Sequence, residues 1–134
     1  MTVVDASVWV SALIPQDLYH EASVAWLRDR ATEDEALIIP ALALAEVAGA
    51  AARRTGAPEL GWSAAAALKS VPGSRIVGLD VDLGTEAARI AADRQLRGAD
   101  AVYVAVAHVL NVPLLTWDLE MQTRAAGLVQ VMHP

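Results

Sequence analysis

Four acidic residues stand where an apolar chain ordinarily carries no charge. They are Asp5 after Val3-Val4, Glu46 between Ala45 and Val47, Asp100 within Gly98-Ala99-Asp100-Ala101-Val102, and Asp118 after Leu115-Thr116-Trp117. Carboxylates are seldom buried unless they are paired, hydrogen-bonded or bound to a cation. Four such positions, spread over the whole chain, point to convergence on one metal site. Hard oxygen ligands without a Cys/His cluster select Mg2+ or Mn2+ over structural zinc. Two such ions about 3.5–4 Å apart support in-line phosphodiester hydrolysis, one lowering the pKa of a bound water and the other stabilising the leaving oxygen. That chemistry needs no nucleophilic Ser or Cys, and no Gly-rich phosphate loop suggests a nucleotide kinase or ATPase. Without a cation the set is strained, because two carboxylates roughly 5 Å apart at an effective dielectric near 20 repel by about 3 kcal/mol.

Each acid also has a plainer explanation. Asp100, just after Gly98, is placed to cap a helix, and Asp5 and Asp118 fit a strand end and a helix start. Glu46 resists such a reading, because its neighbours from Ala41 to Ala52 are otherwise apolar or small. The plain explanations would have to hold independently at all four positions, which favours the joint site. Arg53, Arg54 and Arg97 are candidates for phosphate contacts, weighed against ordinary solvated surface arginine. His20, His108 and His133 lack metal-ligand spacing, and Trp9 and Trp26 are expected in the core or at an interface.

The elements that must position these residues follow from periodicity. Thr2 to Asp5 forms a buried strand, followed by a helix from about Ala6 to Leu13 that Pro15 ends. A helix over Tyr19–Ala31 sets Ala22, Val24, Trp26 and Leu27 against Glu21, Arg28, Asp29 and Arg30. Leu37–Ile39 is a strand running through Pro40 into a helix that reaches about Arg54. Gly56-Ala57-Pro58 punctuates, Glu59–Val71 is helical, and Pro72-Gly73 turns into a strand over Arg75–Leu79. Asp82–Leu96 is an amphipathic helix. Gly98 breaks it, and Asp100 opens a helix to about Leu110. Leu114–Thr116 is a strand, Leu119 to Ala126 a short helix ended by Gly127, and Leu128–Met132 a last strand. Strands alternating with helices give an α/β fold, a mostly parallel sheet covered on both faces. Ligand sites in such sheets lie beyond the C-terminal strand ends near a topological switch point.

The 134 residues fit one domain, expected to span 1–134, and 55% hydrophobic residues exclude disorder. The longest apolar run, Ala41 to Ala52, is broken by Glu46, so no membrane span is expected. With no basic leader and no cysteine, the chain reads as a cytoplasmic protein without disulfides or thiolate metal sites. The net charge of −6 argues against a nucleic-acid partner only until the four acids are set aside, which leaves −2. The basic residues are nine Arg and Lys69. Guanidinium suits bidentate phosphate contacts, though compositional bias explains the preference more simply.

Val3-Val4-Asp5-Ala6-Ser7, Glu46 in a helix, Gly98-Ala99-Asp100-Ala101-Val102-Tyr103-Val104-Ala105 and Thr116-Trp117-Asp118 together resemble the PIN domain, specifically VapC-type toxins. The match spans nearly the whole chain in order. The resemblance implies a three-layer α/β/α sandwich and Mg2+- or Mn2+-dependent endoribonuclease activity with one or two ions. It further implies a homodimer and a VapB-type antitoxin that occupies the groove. It makes Asp5, Glu46, Asp100 and Asp118 the metal-binding set, with Ser7 and Thr116 supporting the metal or its water. One departure stands out: family members often carry basic residues after the last Asp, where this chain has Leu119-Glu120-Met121. The alternatives are a catalytically silent PIN-like interaction module and, more distantly, a receiver-type domain, for which Lys69 is a poor switch lysine.

Overall fold

The computed structural model describes residues 1–33 and 35–134. Five parallel strands, β1 (Thr2–Val4), β2 (Leu37–Pro40), β3 (Ser74–Val77), β4 (Leu114–Leu115) and β5 (Val131–Met132), lie in the order β3-β2-β1-β4-β5. Central β1 pairs Val3 with Ile38 on one side and with Leu114 on the other. Val3, Val4, Ile38, Ile39, Leu114 and Leu115 are all fully buried. Runs of this kind, apolar without alternation, suit strands covered on both faces.

Among the described residues seven helices connect the strands: α1 (Ala6–Leu13), α2 (His20–Thr32), α3 (Leu42–Thr55), α4 (Pro58–Lys69), α5 (Val81–Arg94), α6 (Gly98–Leu110) and α7 (Leu119–Ala125). Right-handed crossovers place α1 to α4 on one face and α5 to α7 on the other. Contacts group the helices the same way: α1 with α2 and α3, α3 with α4, and α5 with α6. The result is the three-layer α/β/α sandwich. Helix α6 is buried continuously from Ala101 to Ala107, between the sheet and α5. Its apolar sequence therefore marks an interior helix and not a membrane segment. No described helix is long and apolar enough to cross a bilayer.

The chain leaves β1 toward β2 over one face and returns to β4, on the other side of β1, over the opposite face. A crevice must open between the C-terminal ends of β1 and β4. Asp5 and Thr116 are the residues that follow those two strands, and the Asp5 amide donates to the Leu115 carbonyl at 3.0 Å.

Several expected boundaries move. Helix α6 begins at Gly98 with Arg97 at the capping position, so Asp100 lies inside the first turn and does not cap it. Arg97 is extended there (φ −63°, ψ 149°), so the helix starts before Asp100 is reached. Of the expected last strand only Val131–Met132 pairs with β4, because Gly127 (φ +79°) turns the preceding residues back toward the sheet. In α2 the sole buried residue is Ser23, while Ala22 and Val24 are exposed. That helix is held by a buried polar contact, Ser23 Oγ to Ser11 Oγ at 2.7 Å, together with the half-buried Trp26 and Leu27 of the expected apolar face. Trp9 is buried as expected, and Trp26 packs partly buried against the core.

Helices α3 and α4 approach so closely that a Cβ on Gly61 would stand 2.6 Å from the Ala48 carbonyl oxygen. Gly84, inside α5, has open space at the same position. Gly61→Ala should therefore lower the melting temperature, since overpacking costs of about 1–3 kcal/mol outweigh a helix-propensity gain of about 1 kcal/mol. Gly84→Ala, which receives only the gain, should raise it. Thermal unfolding of the pair separates close approach from propensity.

Candidate metal centre

Asp5 is the innermost acid of the site, 6% exposed. It caps α1, its Oδ2 accepting from the Ser7 amide at 3.2 Å, the Ser7 hydroxyl at 2.5 Å and the Thr116 hydroxyl at 2.8 Å. All three bonds converge on one oxygen, which orients the carboxylate without engaging Oδ1. The Ser7 hydroxyl also accepts from the Trp117 amide at 3.1 Å, and the Thr116 hydroxyl from the Asp118 amide at 3.0 Å. Ser7 and Thr116 thus tie the turn after β4 to the turn after β1.

Glu46 projects from α3, whose Ala43, Val47 and Ala51 face the core. Its Oε2 accepts from the hydroxyl of Tyr103 at 2.5 Å, a residue of α6 whose side chain is fully buried. Asp118 caps α7, its Oδ1 accepting from the Met121 amide at 2.8 Å. That leaves Oδ2 to Arg97 Nη2 at 3.1 Å, while Arg97 Nε reaches Asp100 Oδ2 at 2.9 Å. Capping and site lining therefore coexist at Asp5 and Asp118.

All four acids line one cavity of about 260 Å3 together with Ser7 and Arg97. Burial pushes the Asp5 carboxyl above its ordinary range, against the lowering effect of its Ser7 and Thr116 hydrogen bonds. Burial raises Glu46 too; the Tyr103 hydrogen bond opposes this, and the charges of Asp5 and Asp100 add to it. Asp100 is raised by burial and by Asp118, against the lowering effect of Arg97. The Tyr103 hydroxyl, buried and beside two acids, is pushed far above the usual phenol range and stays a donor.

An all-oxygen donor set in a half-buried, self-repelling cluster fits Mg2+ or Mn2+. As the side chains stand, no three described Asp, Glu, His or Cys residues are drawn together tightly enough to hold an ion. The Arg97 guanidinium supplies the positive charge instead, spanning Asp100 and Asp118.

Residues 2–128 match the family model for the PIN domain. The chain belongs to the PIN domain family. Among solved PIN structures, VapC20 of Mycobacterium tuberculosis, described as a toxin cleaving the sarcin–ricin loop, superposes with a TM-score of 0.78 at 24% identity, covering 98% of each chain. FitAcB of Neisseria gonorrhoeae gives 0.69 at 25% identity, covering 98% of this chain and 96% of that one. VapBC2 of Rickettsia felis, solved on a promoter DNA fragment, gives 0.71 at 12% identity, covering 98% and 97%. A comparison with curated proteins finds no match.

Of the three candidate arginines, Arg97 is held by the acids themselves and Arg54 by Asp17 at 2.7 Å. Arg53 is exposed and has no carboxylate partner among the described residues. It lines a second, larger cavity of about 530 Å3 that shares Ser7, Glu46 and Asp118 with the first. Here the sequence reading missed Tyr19 and Trp117, whose rings stack at 4.0 Å and 11° beside the acids. Only the Thr116-Trp117-Asp118 run hinted at Trp117. Tyr103 stands in the sequence only within the Gly98–Ala105 run, and its bond to Glu46 is a tertiary contact that spacing does not reveal. His20 bonds the Ser11 carbonyl, His108 lies 3.7 Å from Glu86, and His133 stacks on Trp117, so none of the three joins the acids.

Two outcomes follow. Asp5, Glu46 and Asp100 are all raised in the folded state, so their stabilising effect is complete in acid and is lost as pH climbs through their folded values. Asp17, Glu35 and Glu86 are lowered, and they withdraw stability only below the ordinary carboxylate range. In EDTA the melting temperature should therefore fall as pH rises above the ordinary carboxylate range, less steeply in Asp5→Asn. Arg97→Gln should lower the melting temperature in EDTA and enlarge the rise produced by Mn2+. Differential scanning calorimetry with and without metal reads both.

Proposed function

We propose that this chain is a divalent-metal-dependent endoribonuclease of the VapC type, the toxin of a type II toxin–antitoxin pair. The observation that carries the reading is the convergence of Asp5, Glu46, Asp100 and Asp118 on one cavity at the switch point of a PIN fold. The VapC20 neighbour, described as an RNA-loop-cleaving toxin, supports the substrate class. The VapBC neighbours support a VapB-type antitoxin as partner. We further assign one catalytic unit over 1–134, a homodimer and a cytoplasmic location.

In this mechanism the four carboxylates hold one or two Mg2+ or Mn2+ ions. Metal at this position supplies water of lowered pKa and neutralises charge on the phosphate. Ser7 and Thr116 fix Asp5 in its ligating orientation, and Tyr103 does the same for Glu46. Asp100 and Asp118, which Arg97 pairs with here, would turn to a bound cation, and the Arg97 guanidinium would then face a phosphate oxygen. Water adds to phosphorus in line with the 3′-oxygen; the P–O3′ bond breaks, leaving a 5′-phosphate and a 3′-hydroxyl. The 2′-hydroxyl takes no part.

A second reading, a catalytically silent PIN module acting through protein contacts, is favoured by the Arg97 bridges, which satisfy two acids without metal. Incubation with a panel of structured RNAs separates the two. Cleavage should appear in Mn2+, vanish in EDTA, and fall on the order of 100-fold in Asp5→Asn. Thr116→Val should cost about 10-fold. RNA that stays intact across the panel identifies the silent module.

A further inference from the structure

We propose that the Tyr19–Trp117 stack is a platform on which one nucleobase flanking the scissile phosphate stacks. The inference rests on the nuclease reading and adds to the acid cluster a base-binding subsite built by these two rings. The two rings lie nearly parallel, 11° apart with centroids at 4.0 Å, and they line the 530 Å3 cavity that shares Ser7, Glu46 and Asp118 with the acid cluster. That volume falls within the range of cavities that take a small organic group.

The platform is built, not incidental. Trp117 Nε1 donates to the fully buried Ser23 hydroxyl at 2.8 Å, and that oxygen bonds Ser11 Oγ at 2.7 Å. The Trp117 amide is held by Ser7, and His133 stacks on the indole at 5.8 Å. The backbone of Tyr19 is fixed by its amide, which donates to Asp17 Oδ1 at 3.0 Å, and its ring rests on Trp117. Yet Tyr19 remains 41% exposed. A rigid, partly open ring whose indole partner immediately precedes a site acid suits base stacking, which tolerates any base.

Charge agrees with a nucleotide occupant. Arg53, without a carboxylate partner among the described residues, lines the same cavity. Arg54 beside it is paired with Asp17, so of the two arginines lining this cavity Arg53 is the one open to a phosphate. An RNA strand crossing the site would place the scissile phosphate at the acids, one base on Tyr19 and a neighbouring phosphate near Arg53. A base paired in a duplex has its face covered by its neighbours and cannot stack there.

The test measures equilibrium binding to Asp100→Asn protein in Mg2+, a background in which the altered acid bonds Arg97 and neither ring, so the bonds that hold the stack stay intact. The probes are single-stranded RNA octamers, the same octamer carrying an abasic residue at each position in turn, and an RNA duplex of equal length. The intact octamer should bind about 10–100-fold tighter than the best-placed abasic probe, and tighter than the duplex. Tyr19→Leu, which keeps apolar bulk but no π face, should erase the difference, and Tyr19→Phe should retain it. Folding of each variant is checked by thermal unfolding, and Tyr19→Phe carries the comparison if Tyr19→Leu is unstable. Equal affinity for intact and abasic probes, or an unchanged preference in Tyr19→Leu, overturns the platform and leaves the stack to a protein side chain. Cleavage without base dependence sinks the platform alone. Base-dependent binding without cleavage by the wild-type protein sinks the nuclease reading alone.

Discussion

A carboxylate withdrawn from water at the meeting of two strand ends governs this molecule. Asp5 sits between the termini of β1 and β4, where parallel topology leaves a crevice that no helix can fill. Burial penalises its charge, and the protein answers with two hydroxyls and an amide on a single oxygen. Those same hydroxyls accept the amides of Trp117 and Asp118, so satisfying one acid sets the backbone path that delivers another. Fixing Asp5 thereby positions Asp118 and the indole beside it. The charge that costs folding energy is also the one that organises the site.

The other acids are handled by different physical means. Glu46 reaches the cavity because the core-facing stripe of α3 leaves its position turned toward the strand ends, and a buried phenol clamps it there. Asp100 and Asp118 rely on Arg97, whose guanidinium distributes one positive charge between two carboxylates. This graded arrangement, from neutral donors inside to a cation at the mouth, lets the protein fold around a concentration of negative charge. An exposed arginine is readily displaced, because ion pairs in solvent contribute little. A cation bound here would compete with Arg97 for the same outer acids, whereas Asp5 is held by the fold's own hydrogen bonds.

Much of this was legible in the chain because local patterns carry it. Glu46 stood out as the one charge in an apolar helix, and Asp5 and Asp118 as acids at the ends of β-branched or apolar runs. The alternation of strands and helices sufficed for the sandwich. What escaped has a common cause. The cap of α6 was assigned to Asp100 because Asp is the usual capping residue, although an extended Arg97 serves without any side-chain bond. The anchor of α2 is only partly apolar, because a buried serine pair joins Trp26 and Leu27 in holding it. Tyr19 and Trp117 lie at opposite ends of the chain, and no periodicity announces that two rings will meet. Interactions that depend on tertiary placement leave no trace in spacing.

The bond from Thr116 to Asp5 closes a span of 111 residues, nearly the length of the molecule. Contacts of such separation come late in folding, because loop-closure entropy must be met before they form. During synthesis the acid at position 5 emerges first and waits, solvated and harmless, until the segment bearing β4 has been made. Only then can the crevice exist. The four acids therefore cannot share one cavity before the segment that carries Thr116 and Asp118 has been made, so the order of synthesis is written into the order in which the site assembles.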